Sequence, residues 1–212
     1  MKLYYGLHTC AIGIHLLLEE IGKPYETEQV DLSGGATHRP PFSGLNPKGK
    51  VPTLVRDDGS VLTEFSAIAL WLARSSPEKN LLPTDAEGEA RVMEMIAYIE
   101  GTIHGQGYGR VFVPQMFEPQ DMVHGTLGLG QASVKKQGRG MVETGFAILD
   151  PQLGRYEYAF GDSFTIADAT LFYVERWAPQ FDIAFPINVQ RHFERLRARP
   201  AARKVLQLWG EA

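Results

Sequence analysis

The chain of 212 residues has only one cysteine, Cys10. A single thiol excludes an internal disulfide and fits a reducing compartment. No apolar run approaches the length of a membrane span, and residues 1–10 lack the charged region and apolar run of a signal peptide. Basic residues do not dominate, because 21 Lys and Arg stand against 25 Asp and Glu, so no basic footprint for nucleic acid is present. We therefore expect a cytoplasmic protein that binds neither membranes nor nucleic acid.

The beginning of the chain carries the signals of a strand, a helix and a second strand. Residues 2–5 read as a strand, and an apolar helix runs from Cys10 to a stop at Gly22. Residues 26–30 alternate weakly and read as the second strand. Two strands joined through a helix predict a parallel crossover unit.

The stretch from residue 46 to residue 75 predicts a hairpin followed by a helix. Asp57-Asp58-Gly59 reads as a tight turn between the short apolar runs 53–55 and 61–62. Thr63-Glu64-Phe65-Ser66 then opens an apolar helix that ends near Ser75. Together with the crossover unit, this order predicts a small α/β module of about 80 residues.

Two features of this stretch suit a small anionic peptide. An X-Pro bond is where a cis peptide is accessible, and a cis bond at Val51-Pro52 would turn the main chain of Val51 outward, where it can pair with an extended ligand. The helix that starts near Glu64 directs free N–H groups at the same region, which suits a carboxylate. The alternative is a hairpin and a helix cap without a ligand, and these residues alone do not decide between the two.

The second half of the chain predicts helices only. Residues 77–88 contain two prolines and many polar residues and read as a linker. An apolar stripe at helical spacing follows in residues 89–104, and we expect a second long helix to end near Leu149 although glycines weaken that prediction. Two short helices, 189–198 and 201–209, close the chain.

Thr165 and Asp168 form a helix start signal within this half. Thr165 can cap the helix, and Asp168 can reach back to the Thr165 N–H in a short variant of the capping box. We therefore interpret Asp168 as a capping residue and not as a catalytic one.

Cys10 is the first candidate for chemistry. The positive end of a helix favours the thiolate, so its position at a helix start predicts a depressed pKa. Thr9 and Tyr5 are neighbours that can donate a hydrogen bond to the sulfur, although strand packing is the alternative for Tyr5. A lone cysteine can equally be a small buried apolar residue. Because no second cysteine follows at the required spacing, a C-x-x-C dithiol is excluded.

A cluster of apolar and aromatic residues lies among the glycines of the second half. It can line a pocket for a second substrate or pack in the core, and its members are Tyr108, Phe112, Val113 and Met116. No zinc site is expected, because the spacing of His8, Cys10 and His104 matches no zinc pattern.

In this order and spacing, these segments resemble the cytosolic glutathione transferases, most closely the bacterial beta class. The resemblance covers nearly the whole chain. It is carried by Met1-Lys2-Leu3-Tyr4-Tyr5 with Cys10, Asn46-Pro47-Lys48-Gly49-Lys50-Val51-Pro52, Thr63-Glu64-Phe65-Ser66-Ala67-Ile68, Leu81-Leu82-Pro83 and Thr165-Ile166-Ala167-Asp168.

The resemblance implies a thioredoxin-like α/β domain at 1–76, a linker at 77–88 and an all-helical domain at 89–212, usually in a homodimer. It implies glutathione as a substrate and no metal, and a detoxifying conjugation of the glutathione thiolate to small hydrophobic electrophiles. Val51 would pair with the cysteinyl backbone, next to Pro52, and Cys10 would lie beside the glutathione sulfur. The implied glutathione-binding set also includes Glu64, the backbone of Phe65 and His104. Lys50 can supply a charge for the glycyl carboxylate or be a solvated lysine.

One departure from the family bears on the binding of glutathione. Phe65 stands where the family often has a serine or another small residue, so a hydroxyl contact to the γ-glutamyl end is lost, with Ser66 as a possible substitute. Two other functions therefore stay open. The chain can be a thiol-disulfide oxidoreductase or peroxidase that uses Cys10, or a non-enzymatic protein that binds glutathione or a hydrophobic molecule.

Overall fold

The computed structural model describes residues 1–118 and 130–211. Its first half contains a four-stranded sheet in the order β2-β1-β3-β4, with helices α1, α2 and α3. The strands are β1 (Lys2–Tyr5), β2 (Glu26–Gln29), β3 (Thr53–Val55) and β4 (Val61–Thr63), and the helices are α1 (Ala11–Ile21), α2 (Phe42–Leu45) and α3 (Phe65–Arg74). Strands β1 and β2 are parallel and the other pairs are antiparallel, which confirms the predicted α/β module.

Local signals set the limits of these elements. Helix α1 ends at Gly22, whose φ of 73° is left-handed and whose N–H donates to the Leu18 carbonyl at 3.0 Å. In the hairpin, the Gly59 N–H donates to the Arg56 carbonyl at 3.0 Å and closes the predicted turn. The Val51–Pro52 peptide is cis, and so is the Pro40–Pro41 peptide.

The second half is built from helices. They are α4 (Ala86–Tyr98), a π-helical segment (Ile99–Tyr108), α5 (Gly109–Phe112), α6 (Gly130–Leu153), α7 (Ile166–Trp177), α8 (Ile187–Ala198) and α9 (Pro200–Leu208). Helix α4 begins three residues before the predicted start at Glu89, because the Asp85 carboxylate caps it by accepting from the Gly88 N–H at 2.8 Å. Helix α6 runs four residues past the predicted end at Leu149. Two glycines that weaken the prediction of this helix, Gly125 and Gly128, lie outside the described residues.

Glycines in this half allow a close approach of helices. A Cβ placed on Gly138 of α6 would lie 2.6 Å from the Gly107 carbonyl oxygen, and one on Gly107 would lie 2.7 Å from the Val142 side chain. The π-helical segment and α6 therefore touch backbone to backbone at this point. Gly107 and Gly138 therefore allow close packing of two helices, although each weakens the helix prediction.

The Thr165 and Asp168 signal caps α7 as predicted. The Thr165 N–H donates to the Asp168 carboxylate at 2.7 Å, and Asp168 is fully buried. The other Asp168 oxygen lies 2.9 Å from Nε2 of His192, and Nδ1 of His192 lies 2.8 Å from Glu175. Burial alone would lower the pKa of His192, but the Glu175 and Asp168 carboxylates outweigh it and raise that pKa to about 10.

The two halves share one apolar core. Helix α1 is buried on nearly all sides, because the sheet covers one face while α7 and α9 cover another. This burial explains its continuous apolar sequence. Within residues 1–118 and 130–211, no helix is both long enough and apolar enough to cross a membrane.

Candidate functional site

A cavity of about 580 Å³ opens between the α/β half and the helical half. Its first wall comes from the loop before α1, the segment around the cis peptide and the start of α3, and its second wall comes from the π-helical segment, α5 and α7. The lining residues are His8, Thr9, Cys10, Leu32, Asn46, Gly49, Lys50, Val51, Pro52, Glu64, Phe65, Glu100, His104, Gly105, Phe112, Tyr173 and Trp177.

Cys10 is half-buried in the cavity wall. Its thiol donates weakly to the Val51 carbonyl, with an S to O distance of 3.9 Å. The Thr9 hydroxyl donates to the Gly6 carbonyl at 2.7 Å and accepts from the Ala11 N–H at 3.3 Å. Thr9 therefore borders the cavity, while its hydroxyl holds the start of α1 in place.

The surroundings of Cys10 favour the neutral thiol. Burial is the largest effect and the Glu100 carboxylate adds to it, while the Arg176 guanidinium acts in the opposite direction, and the pKa of Cys10 rises to about 12. The depressed pKa that the sequence predicts is wrong. Burial of the sulfur raises the pKa by more than the backbone hydrogen bond and Arg176 lower it.

The segment that contains the cis peptide is fixed from behind by Asn46. The buried Asn46 side chain donates to the Lys50 carbonyl at 2.7 Å and lies 3.0 Å from the Thr53 hydroxyl. This clamp presents the main chain of Lys50, Val51 and Pro52 to the cavity. All three are residues that the sequence assigns to glutathione binding, and the structure brings them together with Cys10.

The start of α3 forms the end of the cavity beyond Val51. Glu64 has a left-handed φ of 71°, and its carboxylate pairs with Lys48 at 2.6 Å. The Phe65 ring turns into the core, 5.0 Å from the Tyr173 ring. Ser66 is not a lining residue, and its N–H donates at 3.1 Å to a carboxylate that the sequence does not single out, that of Glu100.

Glu100 and His104 lie about one turn apart on the π-helical segment, and both line the cavity. Burial, followed by the effect of Lys50, lowers the pKa of His104 to about 4, so its ring is neutral at pH 7. Burial and the nearby Glu64 raise the pKa of Glu100, although its hydrogen bond with Ser66 partly opposes them. The helical spacing of Glu100 from His104 is the signal that could have identified it.

Aromatic rings form the second wall. The His104 ring lies 5.0 Å from the Trp177 ring and 5.5 Å from the Tyr173 ring, and Phe112 lies 5.0 Å from Trp177. Tyr173 and Trp177 belong to α7, which the sequence predicts to be buried on more than one side without assigning it to the site. This wall suits an apolar or aromatic molecule.

Besides Ser66, four predicted site residues do not line the cavity. Tyr5 packs against the Trp209 ring at 4.9 Å, behind α1. Tyr108 is fully buried behind Phe112, and its hydroxyl donates to the Val174 carbonyl at 2.8 Å. Because α5 ends at Phe112, the chain turns away, and neither Val113 nor Met116 reaches the cavity. Met116 is 77% exposed.

Helix α7 also fixes the loop that precedes Cys10. The Trp177 indole N–H donates to the His8 carbonyl at 3.1 Å, and Arg176 donates to the Thr9 carbonyl at 3.0 Å. Arg176 is buried and pairs with Glu211 at 2.5 Å. The helical half therefore determines where the thiol of the α/β half lies.

No group of three or more His, Cys, Asp or Glu side chains within residues 1–118 and 130–211 is arranged to hold a metal ion.

The chain matches two family models, described as the N-terminal domain of glutathione S-transferase over residues 9–75 and its C-terminal domain over residues 111–200. It is 30% identical over 214 residues to "Glutathione S-transferase GstA" of Escherichia coli O157:H7, with 99% of each chain covered. It is also 32% identical over 179 residues to "Maleylpyruvate isomerase" of a Ralstonia species, covering 81% of this chain and 79% of that protein.

Solved structures give the same result for the fold. A glutathione transferase homolog from Sulfitobacter with bound glutathione superposes with a TM-score of 0.87 at 23% identity, covering 100% of this chain and 98% of that one. A sphingomonad glutathione S-transferase complexed with glutathione superposes with a TM-score of 0.79 at 27% identity, covering all of both chains.

Proposed function

Because the chain belongs to the glutathione S-transferase family, we propose that it conjugates the glutathione thiolate to small hydrophobic electrophiles in the cavity between its two halves. One observation carries this proposal. The Val51 main chain and the Cys10 thiol form one side of the cavity, and the aromatic wall of His104, Phe112 and Trp177 faces them. A peptide thiol and an apolar electrophile can therefore be held side by side.

In this proposal the first wall binds glutathione. The Val51 main chain pairs with the cysteinyl residue as an added strand would, and Lys50 lies where it can neutralise the glycyl carboxylate. The γ-glutamyl group then extends toward Glu64 and the start of α3, where the Phe65 N–H replaces the missing hydroxyl. Two of the similar structures contain glutathione, which supports this assignment.

Cys10 acts as a hydrogen-bond donor in the proposed reaction. With a pKa of about 12 its thiol keeps its proton at pH 7, so it can donate to the glutathione sulfur and stabilise the thiolate there. The thiolate then attacks the electrophilic carbon, a carbon–sulfur bond forms, and the leaving group departs with its electron pair. The aromatic wall holds the electrophile at attack distance and excludes water.

The alternatives receive less support from this geometry. A thiol-disulfide oxidoreductase or peroxidase would use the Cys10 thiolate as a nucleophile, and the protonated thiol disfavours that role. Maleylpyruvate, the substrate in the name of one relative, is a dianion, whereas Lys50 is the only Lys or Arg among the described lining residues. A non-enzymatic binder is favoured only by Phe65, where a hydroxyl contact is missing.

Replacement of Cys10 tests the proposed reaction. In Cys10→Ala, conjugation to an aryl halide should fall by about tenfold and persist, because one hydrogen bond to a charged sulfur is lost. Cys10→Ser, which keeps a donor, is the matched control and should retain more of the rate. Steady-state rates with the aryl halide and with a glutathione mixed disulfide measure both reactions.

Three outcomes decide between the functions. Disulfide reduction that exceeds conjugation in the unmodified protein and disappears in Cys10→Ala would establish the oxidoreductase. Binding of glutathione without turnover of any electrophile or disulfide would establish the non-enzymatic binder. Conjugation that persists in Cys10→Ala supports the transferase.

The proposal extends to the organisation of the protein. It assigns glutathione binding to residues 1–76 and the electrophile wall mainly to residues 89–212, with 77–88 as the linker. It also includes a cytoplasmic homodimer, as is usual in the family.

A further inference from the structure

The loop before Cys10 has a strained backbone that is held from the helical half. His8 has a left-handed φ of 62°, a conformation that residues other than glycine rarely adopt. The carbonyls of His8 and Thr9 accept from Trp177 and Arg176, at 3.1 Å and 3.0 Å. The Thr9 carbonyl belongs to the peptide group that joins Thr9 to Cys10. The hydrogen bond from Arg176 therefore acts directly on the main chain of Cys10, and a strained backbone persists only where such contacts hold it.

Arg176 is itself held by Glu211, a residue that follows α9. Its guanidinium donates from Nη1 to Oε1 of Glu211 at 2.5 Å and from Nη2 to the Thr9 carbonyl at 3.0 Å. Both side chains are largely buried, with 4% of Arg176 and 14% of Glu211 exposed. Because a guanidinium is planar and rigid, fixing one of its nitrogens fixes the direction in which the other donates. Glu211 therefore compensates the buried charge and also orients it.

Two further contacts involve Glu211. Its N–H donates to the Leu206 carbonyl at 2.9 Å, which ties it to the last turn of α9. Its Oε1 also lies 3.5 Å from Nδ1 of His8, so the same carboxylate oxygen borders the strained residue. A continuous path of polar contacts thus runs from α9 through Glu211 and Arg176 to the loop before Cys10.

We propose that Glu211 is a positioning residue for Cys10, because it holds Arg176 against the Thr9 carbonyl and thereby fixes the loop from which the thiol enters the cavity. This inference rests on the proposed role of Cys10 as a hydrogen-bond donor to the glutathione sulfur. Glu211 does not line the cavity, so it acts through Arg176 and the loop and not on a ligand. The strength of a hydrogen bond depends on its direction, so a displaced loop weakens the donation from Cys10.

Alkylation of Cys10 by iodoacetamide tests the assignment without any ligand. In Glu211→Ala the rate at pH 8 should rise by at least about threefold, because the loosened loop makes the sulfur more accessible. Arg176→Met should have a similar effect. Adding Glu211→Ala to Arg176→Met should change the rate by less than about twofold, because the two residues act as one unit. Glu211→Gln keeps an oxygen that can accept from Arg176 and should stay closer to the unmodified protein.

Steady-state conjugation gives a second readout. In Glu211→Ala, kcat should fall by about three- to tenfold, because part of the hydrogen bond from Cys10 to the charged sulfur is lost. The KM for glutathione should change by less than about twofold, because the Val51 main chain that binds the peptide is untouched. A purely structural role of Glu211 would lower stability and leave the kcat of the folded enzyme unchanged.

Lys204→Ala is the matched control. Lys204 of α9 pairs with Glu19 of α1 at 2.8 Å, so this variant also removes an ion pair of α9 but leaves the contacts of the loop before Cys10 in place. The alkylation rate and kcat should both stay within about twofold of the unmodified protein, because such a partly exposed pair contributes little. Thermal unfolding of each variant shows that it is folded.

Two results would overturn the assignment while leaving the proposed function intact. One is an unchanged alkylation rate together with an unchanged kcat in folded Glu211→Ala. The other is additivity of Glu211→Ala and Arg176→Met, which would mean that Glu211 does not act through Arg176. Absence of conjugation in the unmodified protein would instead overturn the proposed function, and the alkylation rates would still decide whether Glu211 positions Cys10.

Discussion

Cys10 illustrates how a single residue can have the expected position and the opposite chemistry. It lies directly before α1, where the helix field favours a thiolate. Burial and the Glu100 carboxylate nevertheless raise its pKa to about 12. The sequence could predict the position, because strand, loop and helix signals are local. It could not predict the pKa, because Glu100 and the walls of the cavity come from distant parts of the chain.

The pH dependence of the alkylation of Cys10, the only cysteine, measures the pKa of its thiol directly. The rate of reaction with iodoacetamide should rise by about tenfold per pH unit from pH 7 to pH 10 without a plateau, because the thiolate is the reactive form. The urea-unfolded chain, whose thiol has an ordinary pKa near 8.5, should level off above about pH 9 and serves as the control. Mass spectrometry of the alkylated protein measures the rate at each pH. A plateau below pH 8 in the folded protein would contradict the raised pKa of Cys10.

Side-chain direction is the second property that the sequence did not reveal at this scale. Of the four predicted pocket residues, only Phe112 lines the cavity, while Tyr108 is buried behind it. Both are aromatic and lie about one helical turn apart, so composition and spacing give them the same role. The π-helical segment that ends at Tyr108 changes the direction in which side chains point, and no local sequence signal marks it.

Among the elements, strands and helices with explicit end signals were predicted well. Gly22 and the Asp57-Asp58-Gly59 turn limit their elements as expected, and Asp168 caps α7. The glycines near α6 were harder to interpret, because a glycine that weakens an isolated helix can strengthen a contact between two helices. The close contact between Gly107 and Gly138 accounts for the absence of a side chain at both positions. The sequence does not show this contact, because the two residues are distant in the chain.

Two substitutions in α6 separate these roles. Gly138→Ala should lower the free energy of unfolding by about 1–3 kcal/mol, because its Cβ would lie 2.6 Å from the Gly107 carbonyl oxygen. Gly140→Ala meets nothing within 4 Å and should raise the free energy of unfolding by about 0.5–1 kcal/mol through helix propensity. Urea unfolding measures both, and equal effects of the two substitutions would exclude the close helix contact.

The stability of the whole molecule should depend on pH through His192. Its pKa is raised from 6.5 to about 10 in the fold, so its contribution is fully present below pH 6.5 and is lost as pH rises toward 10. His192→Gln leaves Asp168 and Glu175 without the cation between them and should cost about 3–5 kcal/mol at pH 6.

The difference between the two proteins is the informative quantity, because other groups titrate equally in both. The stability lost through His192→Gln should shrink as pH rises from 7 to 10, as followed by urea unfolding at each pH. A difference that stays constant over this range would mean that His192 is neutral in the fold.

A hybrid protein that joined residues 1–76 of this chain to the helical half of a relative would contain Cys10 but would lack the α7 side chains that hold the loop before it. Trp177 and Arg176 hold the carbonyls of His8 and Thr9, and both belong to α7. Exchange of the helical half alone would therefore alter the sulfur chemistry as well as the choice of electrophile. A hybrid that is meant to keep the environment of Cys10 should therefore retain α7 together with the α/β half.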